Sequence, residues 1–446
     1  MKTNPSALLA GLLALGLATP VVGQPLTREE KVARDREQVE AEGFWIYNDL
    51  QRGFSDAKQT GKPLLVVLRC IPCEECVKLD DDLMDNDPEL RPLLERFVCV
   101  RQVSTNGLDL TTFQFDTDQS FAAFMLNADG TVYGRFGTRS HRTDWIEDVS
   151  LSGLAEALRG ALALHDRYPK GRETLLAKTA AEPRFERPEL YPALREKYSA
   201  VLPREGKVVA SCIHCHQIGD AERDLLRSRA KPISDETLFP YPHPKSIGLK
   251  LDPNRRATVL EVTPGTAAES AGLRAGDQLL RLDDQPILSI ADIQWVLQQI
   301  PAAGGSVTLS LRRDGSIEKA WLELGPDWRL SGDISWRVST WGLRRMVTGG
   351  MTLVTAEDAE RQAAAIDAET MALRVKGLGK YGAHAAALRA GFQVDDVIVE
   401  FDGRRDLWRE TDVIRHGVQN RVPGDSVAVT VRRGGETVEL KLRMQR

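Results

Sequence analysis

The chain has 446 residues, of which 42% are hydrophobic and 28% are charged, and its formal net charge is -5. A chain of this length exceeds what one hydrophobic core usually serves, so we expect about three domains. Charges of both signs are mixed along the sequence, without a basic stretch suited to a phosphate backbone. The composition is therefore that of globular protein, and nucleic acid is not an expected partner.

The N-terminus has the pattern of a secretory signal. Lys2 gives it a positive charge, an apolar run extends over Ala7–Ala18, and small residues precede Gln24. This run is shorter than the roughly 20 residues that span a bilayer. We predict a cleaved signal peptide at residues 1–23, and hence a periplasmic or secreted protein without a transmembrane segment in the mature chain. An uncleaved membrane anchor is the alternative interpretation.

Residues 24–42 are polar and predict a linker or a lead-in helix, and residues 43–168 predict one α/β domain. In this domain helical periodicity alternates with short apolar strands, and an Asp-Gly step indicates a hairpin between the last two strands. The predicted elements are a helix over Trp45–Gln59, strands over Leu64–Leu68 and Phe97–Val103, hairpin strands over Phe121–Leu126 and Thr131–Phe136, and a helix over Leu151–Tyr168.

Three cysteines, Cys70, Cys73 and Cys76, directly follow the first of these strands. The element order and the spacing of Cys73 and Cys76 resemble the thioredoxin fold, in which a thiol at a helix N-terminus has a lowered pKa and attacks as the thiolate. The resemblance implies that Cys73 is the catalytic nucleophile and Cys76 the resolving thiol. Cys70 has the same spacing from Cys73 and could take part instead. A structural disulfide and a three-thiolate metal site are the alternatives.

Some features of this region depart from an active thioredoxin. Pro72 precedes Cys73 where thioredoxins usually have Trp, and residues 119–121 lack the Pro that thioredoxins place beside the active site. Two glutamates between Cys73 and Cys76 would raise the thiol pKa. Cys99 lies in an apolar strand and is predicted to be a buried core thiol.

A second cysteine cluster lies within residues 169–243, which we predict to be a connecting segment. Cys212, Cys215 and His216 have the Cys-x-x-Cys-His spacing at which c-type haem is attached. The two cysteines would form the thioethers, and His216 would be the proximal iron ligand. The motif therefore predicts haem c as a cofactor.

The sixth iron ligand of such a haem is not evident, because no Met lies near the motif. His243 is the only nearby imidazole beyond the motif itself. The alternatives to haem are a disulfide between Cys212 and Cys215, and a zinc site formed by these cysteines with His214 and His216.

An internal repeat occupies the C-terminal half of the chain. Each copy has an Ala-rich helix, an acidic turn and a final hairpin. Both copies resemble the bacterial PDZ domains of high-temperature-requirement proteases, and they cover residues 244–326 and 370–446 with a connector at residues 327–369. The expected fold class is therefore multidomain, an α/β thioredoxin-like domain followed by two mainly-β PDZ-like domains.

The resemblance to PDZ domains implies binding of an extended peptide as an added strand, with backbone N–H groups holding its C-terminal carboxylate. Ile247, Gly248 and Leu249 would form the carboxylate loop of the first copy. The matching stretch of the second copy is Met371–Leu373, where Ala372 is less suited than Gly to an open backbone. Binding of a protein or peptide partner is therefore expected mainly from the first copy. The alternative is that both copies serve only as spacers.

The whole arrangement is similar to a bacterial family of thioredoxin-like/PDZ proteins, some members of which carry selenocysteine. The residues most specific for this resemblance are the two cysteine clusters and Ile334-Ser335-Trp336-Arg337. The first hypothesis is an exported redox protein that binds a protein partner through PDZ and exchanges disulfides or electrons with it. The second is a non-enzymatic adaptor with a structural thioredoxin-like fold. A protease is not expected, because the chain has no Gly-x-Ser-Gly-Gly nucleophile loop.

Overall fold

The computed structural model describes residues 26–69, 87–119, 121–138, 148–179 and 182–446. The predicted signal peptide at residues 1–23 and the cysteines Cys70, Cys73 and Cys76 lie outside these ranges. Across the described ranges, no helix is both long enough and apolar enough to cross a bilayer.

The N-terminal unit is organised around a five-stranded mixed sheet with the strand order β1-β3-β2-β4-β5. β1, β2 and β3 are parallel, β4 is antiparallel to β2, and β5 is antiparallel to β4. The strands are β1 Ile46–Tyr47, β2 Leu64–Arg69, β3 Val98–Gln102, β4 Phe121–Leu126 and β5 Val132–Thr138. The helices of this unit are α1 Arg28–Glu42, α2 Leu50–Thr60, α3 Leu90–Leu94 and α4 Leu151–His165.

The strand register brings the carboxyl ends of β2 and β3 to one edge of this sheet. Leu68 pairs with Gln102, and Arg69 pairs with Phe121 at the start of β4. We name this the Arg69 edge. Arg69 is the last described residue before Cys70 in the sequence.

The start of the N-terminal unit differs from the sequence prediction. The predicted helix over Trp45–Gln59 begins too early, because β1 comes first and α2 begins only after Asp49, whose carboxylate accepts a hydrogen bond of 2.9 Å from the Arg52 N–H. Of the two alternatives at residues 24–42, the structure shows a helix, α1, capped by Thr27. The apolar side chains of α1 are too sparse to predict its packing from periodicity.

β2 is buried on both faces because other elements cover the sheet from both sides. Leu65 and Val67 pack into one apolar cluster, which includes side chains of α4, and Leu64 and Val66 pack into another on the opposite face. A strand covered on both faces is expected to be uniformly apolar. For this reason the apolar run over Leu64–Leu68 was sufficient to predict a strand.

Residues 169–243 complete this core and are more than a connecting segment. Tyr191, Leu194, Ile213 and Ile218 belong to the same apolar cluster as Leu64 and Val66. Around Glu189 the chain forms only a short 3-10 helix. The regular elements here are 3-10 helices over Arg172–Lys178 and Pro188–Leu190, and α5 Val208–Ser211, α6 Cys215–Ser228 and α7 Asp235–Leu238.

The first repeat forms two small antiparallel sheets, with the strand orders β6-β7 and β11-β10-β8-β9. The strands are β6 Leu249–Leu251, β7 Val259–Val262, β8 Gln278–Leu282, β9 Gln285–Pro286, β10 Gly305–Arg313 and β11 Ser316–Leu324. The helices are a 3-10 helix over Pro244–Ile247, α8 Ala267–Ser270 and α9 Ile290–Gln299. The repeat ends in the predicted hairpin, which β10 and β11 form.

The second repeat forms a five-stranded antiparallel sheet with the order β12-β13-β14-β15-β16. The strands are β12 Met351–Thr355, β13 Leu373–Leu378, β14 Val397–Phe401, β15 Ser426–Arg433 and β16 Glu436–Arg443. The helices from the connector onward are 3-10 helices over Trp328–Ser331 and Gly382–Ala385, and α10 Thr340–Thr348, α11 Asp358–Ala363, α12 Ala386–Arg389 and α13 Glu410–Asn420.

The boundary predicted between the connector and the second repeat is too late. β12 lies within residues 327–369 but pairs with β13, and Leu343 and Met346 of α10 join the core of the second repeat. The repeat therefore begins near residue 340. The sequence signal was missed because the Ala-rich and Glu-rich stretch of α11 separates β12 from the rest of the repeat.

A buried ion cluster connects the N-terminal unit to the second repeat. The Arg337 guanidinium donates to the carboxylates of Asp116 and Asp118, at 2.7 and 3.0 Å. The Ser339 N–H also donates to Asp118, at 3.0 Å. All three charged side chains are buried, so the two units share an interior here and do not merely touch.

Candidate functional site

The first strand of the first repeat, β6, has a free edge. The neighbouring strand β7 forms hydrogen bonds with the backbone groups of alternate residues along β6. The Thr263 N–H donates to the Gly248 carbonyl, and the Asp252 N–H donates to the Thr258 carbonyl. The N–H and C=O groups of Leu249 and Leu251 therefore point to the opposite side. Within the described part of the chain, β6 pairs with no strand on that side.

The three predicted peptide-binding residues lie together where this edge begins. Ile247 ends the 3-10 helix and Leu249 begins β6, and both side chains are buried in the core of the repeat. Gly248 between them has a φ of 86°, which favours glycine. A Cβ on Gly248 would also lie 2.0 Å from Thr266 Oγ1. The loop thus needs glycine for both conformation and space.

Helix α9 lies beside the N-terminal unit and is held by it. The Asp292 carboxylate accepts a hydrogen bond from the Arg135 N–H and an ion-pair contact from Lys178 Nζ, at 3.2 and 2.8 Å. The Trp295 indole N–H donates to the Ala177 carbonyl at 3.1 Å. This helix is therefore shared between the two units and has a fixed position relative to the N-terminal sheet.

Two basic side chains precede the Gly248 loop, and the structure joins both to one carboxylate. His243 Nε2 lies 3.1 Å from Asp148 Oδ2, and Lys245 Nζ lies 3.5 Å from Asp148 Oδ1. His243 Nδ1 accepts a hydrogen bond from the Lys245 N–H at 3.1 Å. Both ring nitrogens of His243 therefore make contacts at the loop. This arrangement does not fit the prediction of His243 as the sixth ligand of a haem iron. Asp148 was not singled out in the sequence, because nothing in its neighbourhood indicates a binding motif.

The loop of the second repeat lies elsewhere than predicted. Met371 and Leu373 are buried core residues at the start of β13, which occupies the place that β7 has in the first repeat. The equivalent of Gly248 is Gly350, with a φ of 89°, directly before β12. The Gly379 N–H donates to the Gly350 carbonyl, as the Thr263 N–H does to Gly248. The predicted stretch Met371–Leu373 is therefore wrong.

In the second repeat, other residues of the chain cover the edge of β12 that corresponds to the free edge of β6. The Leu353 N–H donates to Glu410 Oε1 at 2.7 Å, and Thr348 Oγ1 donates to the Met351 carbonyl at 2.8 Å. Arg344 of α10 donates to both Glu410 oxygens, at 2.9 and 2.6 Å. Helix α10 therefore lies between β12 and α13, where an added peptide strand would otherwise pack.

The Cys-x-x-Cys-His motif is held against the carboxyl end of β3. The Thr105 N–H and hydroxyl donate to the Ile213 carbonyl, at 3.0 and 2.8 Å. The Ile213 N–H donates to Asn106 Oδ1 at 2.8 Å, and Asn106 Nδ2 donates to the Ser211 carbonyl at 3.0 Å. The motif is thus anchored by its backbone near the Arg69 edge.

The two thiols of this motif are free and turned into the protein. Cys212 Sγ donates to the Val208 carbonyl at 3.2 Å, and Cys215 packs against the apolar cluster of the N-terminal unit. Burial raises the pKa of Cys212 to about 11 and that of Cys215 to about 12. The disulfide alternative is therefore not what the structure shows. Cys99 is buried as predicted, and its burial also raises its pKa.

The zinc alternative does not fit this geometry either. Among the residues that the structure describes, no group of three or more His, Cys, Asp or Glu side chains is arranged to hold a metal ion. The rings of His214 and His216 lie parallel with centroids 6.1 Å apart. The four predicted ligands therefore do not converge on one point.

The imidazole of this motif suits a haem ligand, but the two thiols do not suit haem attachment. His216 Nδ1 lies 3.1 Å from Asp220 Oδ2, the kind of contact that orients a ligating imidazole. The thiols do not fit as placed, because Cys212 Sγ donates to the Val208 carbonyl and Cys215 packs against the apolar cluster of the N-terminal unit. Both thiols would have to turn away from these positions for haem to attach.

Comparison with known families identifies two domains in the chain. A thioredoxin-like family matches residues 45–128, and a PDZ domain family matches residues 245–324. Strands β1 to β4 of the N-terminal sheet lie within the first segment, and the strands of the first repeat lie within the second. The chain therefore contains a thioredoxin-like domain and, after it, a PDZ domain, as the sequence resemblance implied.

Particular relatives are bacterial proteases. The chain is 38% identical over 76 residues to the periplasmic serine endoprotease DegP of Escherichia coli K12, covering 17% of this chain and 16% of DegP. It is 40% identical over 65 residues to the magnetosome formation protease MamE of Paramagnetospirillum magneticum, covering 15% of this chain and 9% of MamE. The chain thus spans less than a fifth of the length of these relatives.

Solved structures add only a distant likeness. An HtrA-type protease, AlgW with a decapeptide, shows 14% sequence identity and a TM-score of 0.20, covering 31% of this chain and 49% of AlgW. The serine endoprotease of Yersinia pestis shows 21% identity and a TM-score of 0.16, covering 18% of this chain and 28% of that one. Such scores carry no argument about the whole architecture.

Proposed function

We propose that this chain is an exported protein that binds the C-terminal segment of a partner protein on β6 and acts on it through the thiols of its thioredoxin-like domain. The observation that carries the proposal is the free edge of β6 directly after the left-handed Gly248. An extended peptide adds to such an edge by main-chain hydrogen bonds, and the turn before it receives the carboxylate. Export is supported by the N-terminal sequence pattern and by the periplasmic location in the name of DegP.

We assign peptide binding to the first repeat alone. The second repeat has the same order of strands and helices, and we interpret it as a second PDZ-type unit. Its edge is occupied by Glu410 and Thr348, so an added strand would have to displace α10. Its role in this proposal is to hold the N-terminal unit in place through Arg337.

The proposed chemistry is thiol–disulfide exchange. The Cys73 thiolate would form a bond to one sulphur of a partner disulfide, and the other partner sulphur would leave and take up a proton. Cys76 would then form the Cys73–Cys76 disulfide and release the second partner thiol. Two electrons pass to the partner, and a small dithiol, dithiothreitol in the assay, supplies them again.

Peptide binding is tested by fluorescence anisotropy with a labelled octapeptide that ends in three valines. We expect saturable binding with a free C-terminal carboxylate and at least tenfold weaker binding with the amidated peptide. Gly248→Trp should abolish binding, because the new side chain enters the space of Thr266. Gly276→Ala is the matched control, since it also replaces a left-handed glycine but in open space. Equal binding of both peptides by the unaltered protein would contradict the proposal.

The redox half of the proposal is tested by the reduction of insulin with dithiothreitol. Cys73→Ser should abolish turnover, whereas Cys99→Ser, at a buried thiol that takes no part in the chemistry, should keep it in folded protein. Unchanged turnover in Cys73→Ser would remove the redox role. Peptide binding without any redox activity would favour the second candidate, a non-enzymatic adaptor, which the same free edge supports.

Haem c at Cys212, Cys215 and His216 stays a prediction from the motif. It is tested by an absorption spectrum of protein from a host that attaches c-type haem, before and after dithionite. A Soret band that survives denaturation would establish covalent haem and would mean that both thiols leave the interior positions described above. A spectrum without visible bands would leave the motif a structural element at the end of β3.

A further inference from the structure

The thioredoxin-like domain places a carboxylate at the peptide-binding loop of the PDZ domain. Asp148 lies just before α4 of the N-terminal unit, and its side chain is only 4% exposed. Its carboxylate contacts His243 and Lys245, which directly precede the Gly248 loop. These contacts join residues almost a hundred positions apart in the sequence, so the pairing is a feature of the tertiary structure.

The chemistry of this contact matches that of a peptide C-terminus. A ligand held at the Gly248 loop would end in a carboxylate, which binds basic side chains as well as backbone N–H groups. His243 and Lys245 are such side chains, next to the loop. The Asp148 carboxylate therefore makes the contacts with His243 and Lys245 that the terminal carboxylate of a bound peptide would make.

Val149, the residue after Asp148, also lies where a side chain of a bound peptide would pack. Val149 packs against the apolar clusters of both the N-terminal unit and the first repeat. A small gap is lined by Asp148, Val149, Leu251 and Ile290, that is, by this segment, the end of β6 and the start of α9. A charged and an apolar side chain thus lie together between the two elements that flank an added strand in a PDZ domain.

We propose that Asp148 is an internal competitor for the partner's C-terminal carboxylate, so that the thioredoxin-like domain gates the PDZ site. Binding of a partner displaces Asp148 from His243 and Lys245 and transfers their contacts to the carboxylate of the partner. This inference rests on the proposed peptide binding at β6. It adds the chemical requirement that the partner supply a free terminal carboxylate in exchange for that of Asp148.

The test compares Asp148→Asn with the unaltered protein in the same anisotropy assay, using the octapeptide that ends in three valines. Asn keeps the size and a hydrogen bond to His243 but removes the charge. We expect the affinity for the free carboxylate to rise about tenfold, and the affinity for the amidated peptide to stay within about twofold. Glu156→Gln, on the exposed surface of α4, is the matched control and should change neither affinity. Adding Lys245→Gln to Asp148→Asn should remove most of the gain.

The outcomes separate this inference from the proposed function. Equal affinity of the unaltered protein and Asp148→Asn, with binding lost in Gly248→Trp, would overturn the gate and uphold peptide binding. An equal gain for both peptides would also overturn it, because carboxylate competition favours only the free terminus. Absence of binding in every variant would overturn the peptide site itself. Thermal unfolding of each variant checks that the affinities are those of folded protein.

Discussion

Lys178 and Asp292 form a fully buried ion pair between the N-terminal unit and the PDZ domain, with Lys178 Nζ 2.8 Å from Asp292 Oδ1. Burial lowers the pKa of Lys178 to about 8, although the Asp292 carboxylate opposes the shift. An unfolded lysine titrates near 10.4. Between these two values the unfolded chain binds more protons than the folded one, so the free energy of unfolding should rise with pH over this range.

We therefore expect Lys178→Met to remove a positive pH slope of stability between about pH 8 and 10.4. The measurement is urea unfolding at several pH values across this window. Lys170→Met, at an exposed site, serves as the control and should keep the slope. An identical slope in the unaltered protein and in Lys178→Met would show that the Lys178 ammonium does not titrate in this window.

The thiols of Cys212 and Cys215 should be unreactive in the folded protein. Burial raises their pKa values to about 11 and about 12, so little thiolate exists at pH 8, and the thiolate is the reactive form. We expect iodoacetamide at pH 8 to label these residues only in urea, as read by mass spectrometry. Rapid labelling of folded protein would mean that the motif opens readily, as attachment of haem would require.

At the scale of elements, helices α10 and α13 of the second repeat pack closely against each other. A Cβ on Gly417 of α13 would lie 2.3 Å from Val347 Cγ1 of α10. Overpacking of this kind usually costs about 1–3 kcal/mol. We expect Gly417→Ala to lower the free energy of unfolding by about that amount, and Val347→Ala in the same chain to restore part of it.

This pair of substitutions is measured by chemical denaturation. Gly342→Ala, at a glycine of α10 where a Cβ would meet only Asp220 Oδ1 at 3.8 Å, controls for the loss of a helical glycine alone. If the double variant is less stable than the unaltered protein by the full sum of the two single effects, the two helices do not pack as described.

At the scale of the whole molecule, we expect Arg337 to couple the unfolding of the thioredoxin-like domain to that of the second repeat. Its guanidinium is buried with Asp116 and Asp118. Removing one partner of a buried ion cluster usually costs about 3–5 kcal/mol, because the remaining charges lose their compensation. We expect Arg337→Met to be destabilised by about this amount, and to split one calorimetric transition into two.

Scanning calorimetry of the unaltered protein and Arg337→Met checks this expectation. Arg389→Met is the control, since the Arg389 side chain donates only to the Gly382 carbonyl on the surface of the same repeat. Two separate transitions already present in the unaltered protein would show that the units are energetically independent despite the shared interior.

Much of the local structure was predictable. The uniformly apolar run of β2 and the Asp-Gly hairpin between β4 and β5 lie where the sequence predicts them. The errors occurred where local sequence is weakest as a guide. β1 is too short to show alternation, and residues 169–243 contribute only scattered apolar anchors to the core.

The sequence by itself determined the two domain types, the position of the Gly248 loop and the burial of Cys99, because these depend on composition, local spacing and backbone conformation. Only the tertiary structure decided which groups meet. It brought Asp148 to His243 and Lys245, Arg337 to Asp116, and Glu410 to the edge of β12. These pairings depend on long-range packing and on the need of each buried charge for a partner, and neither leaves a periodic signal in the chain.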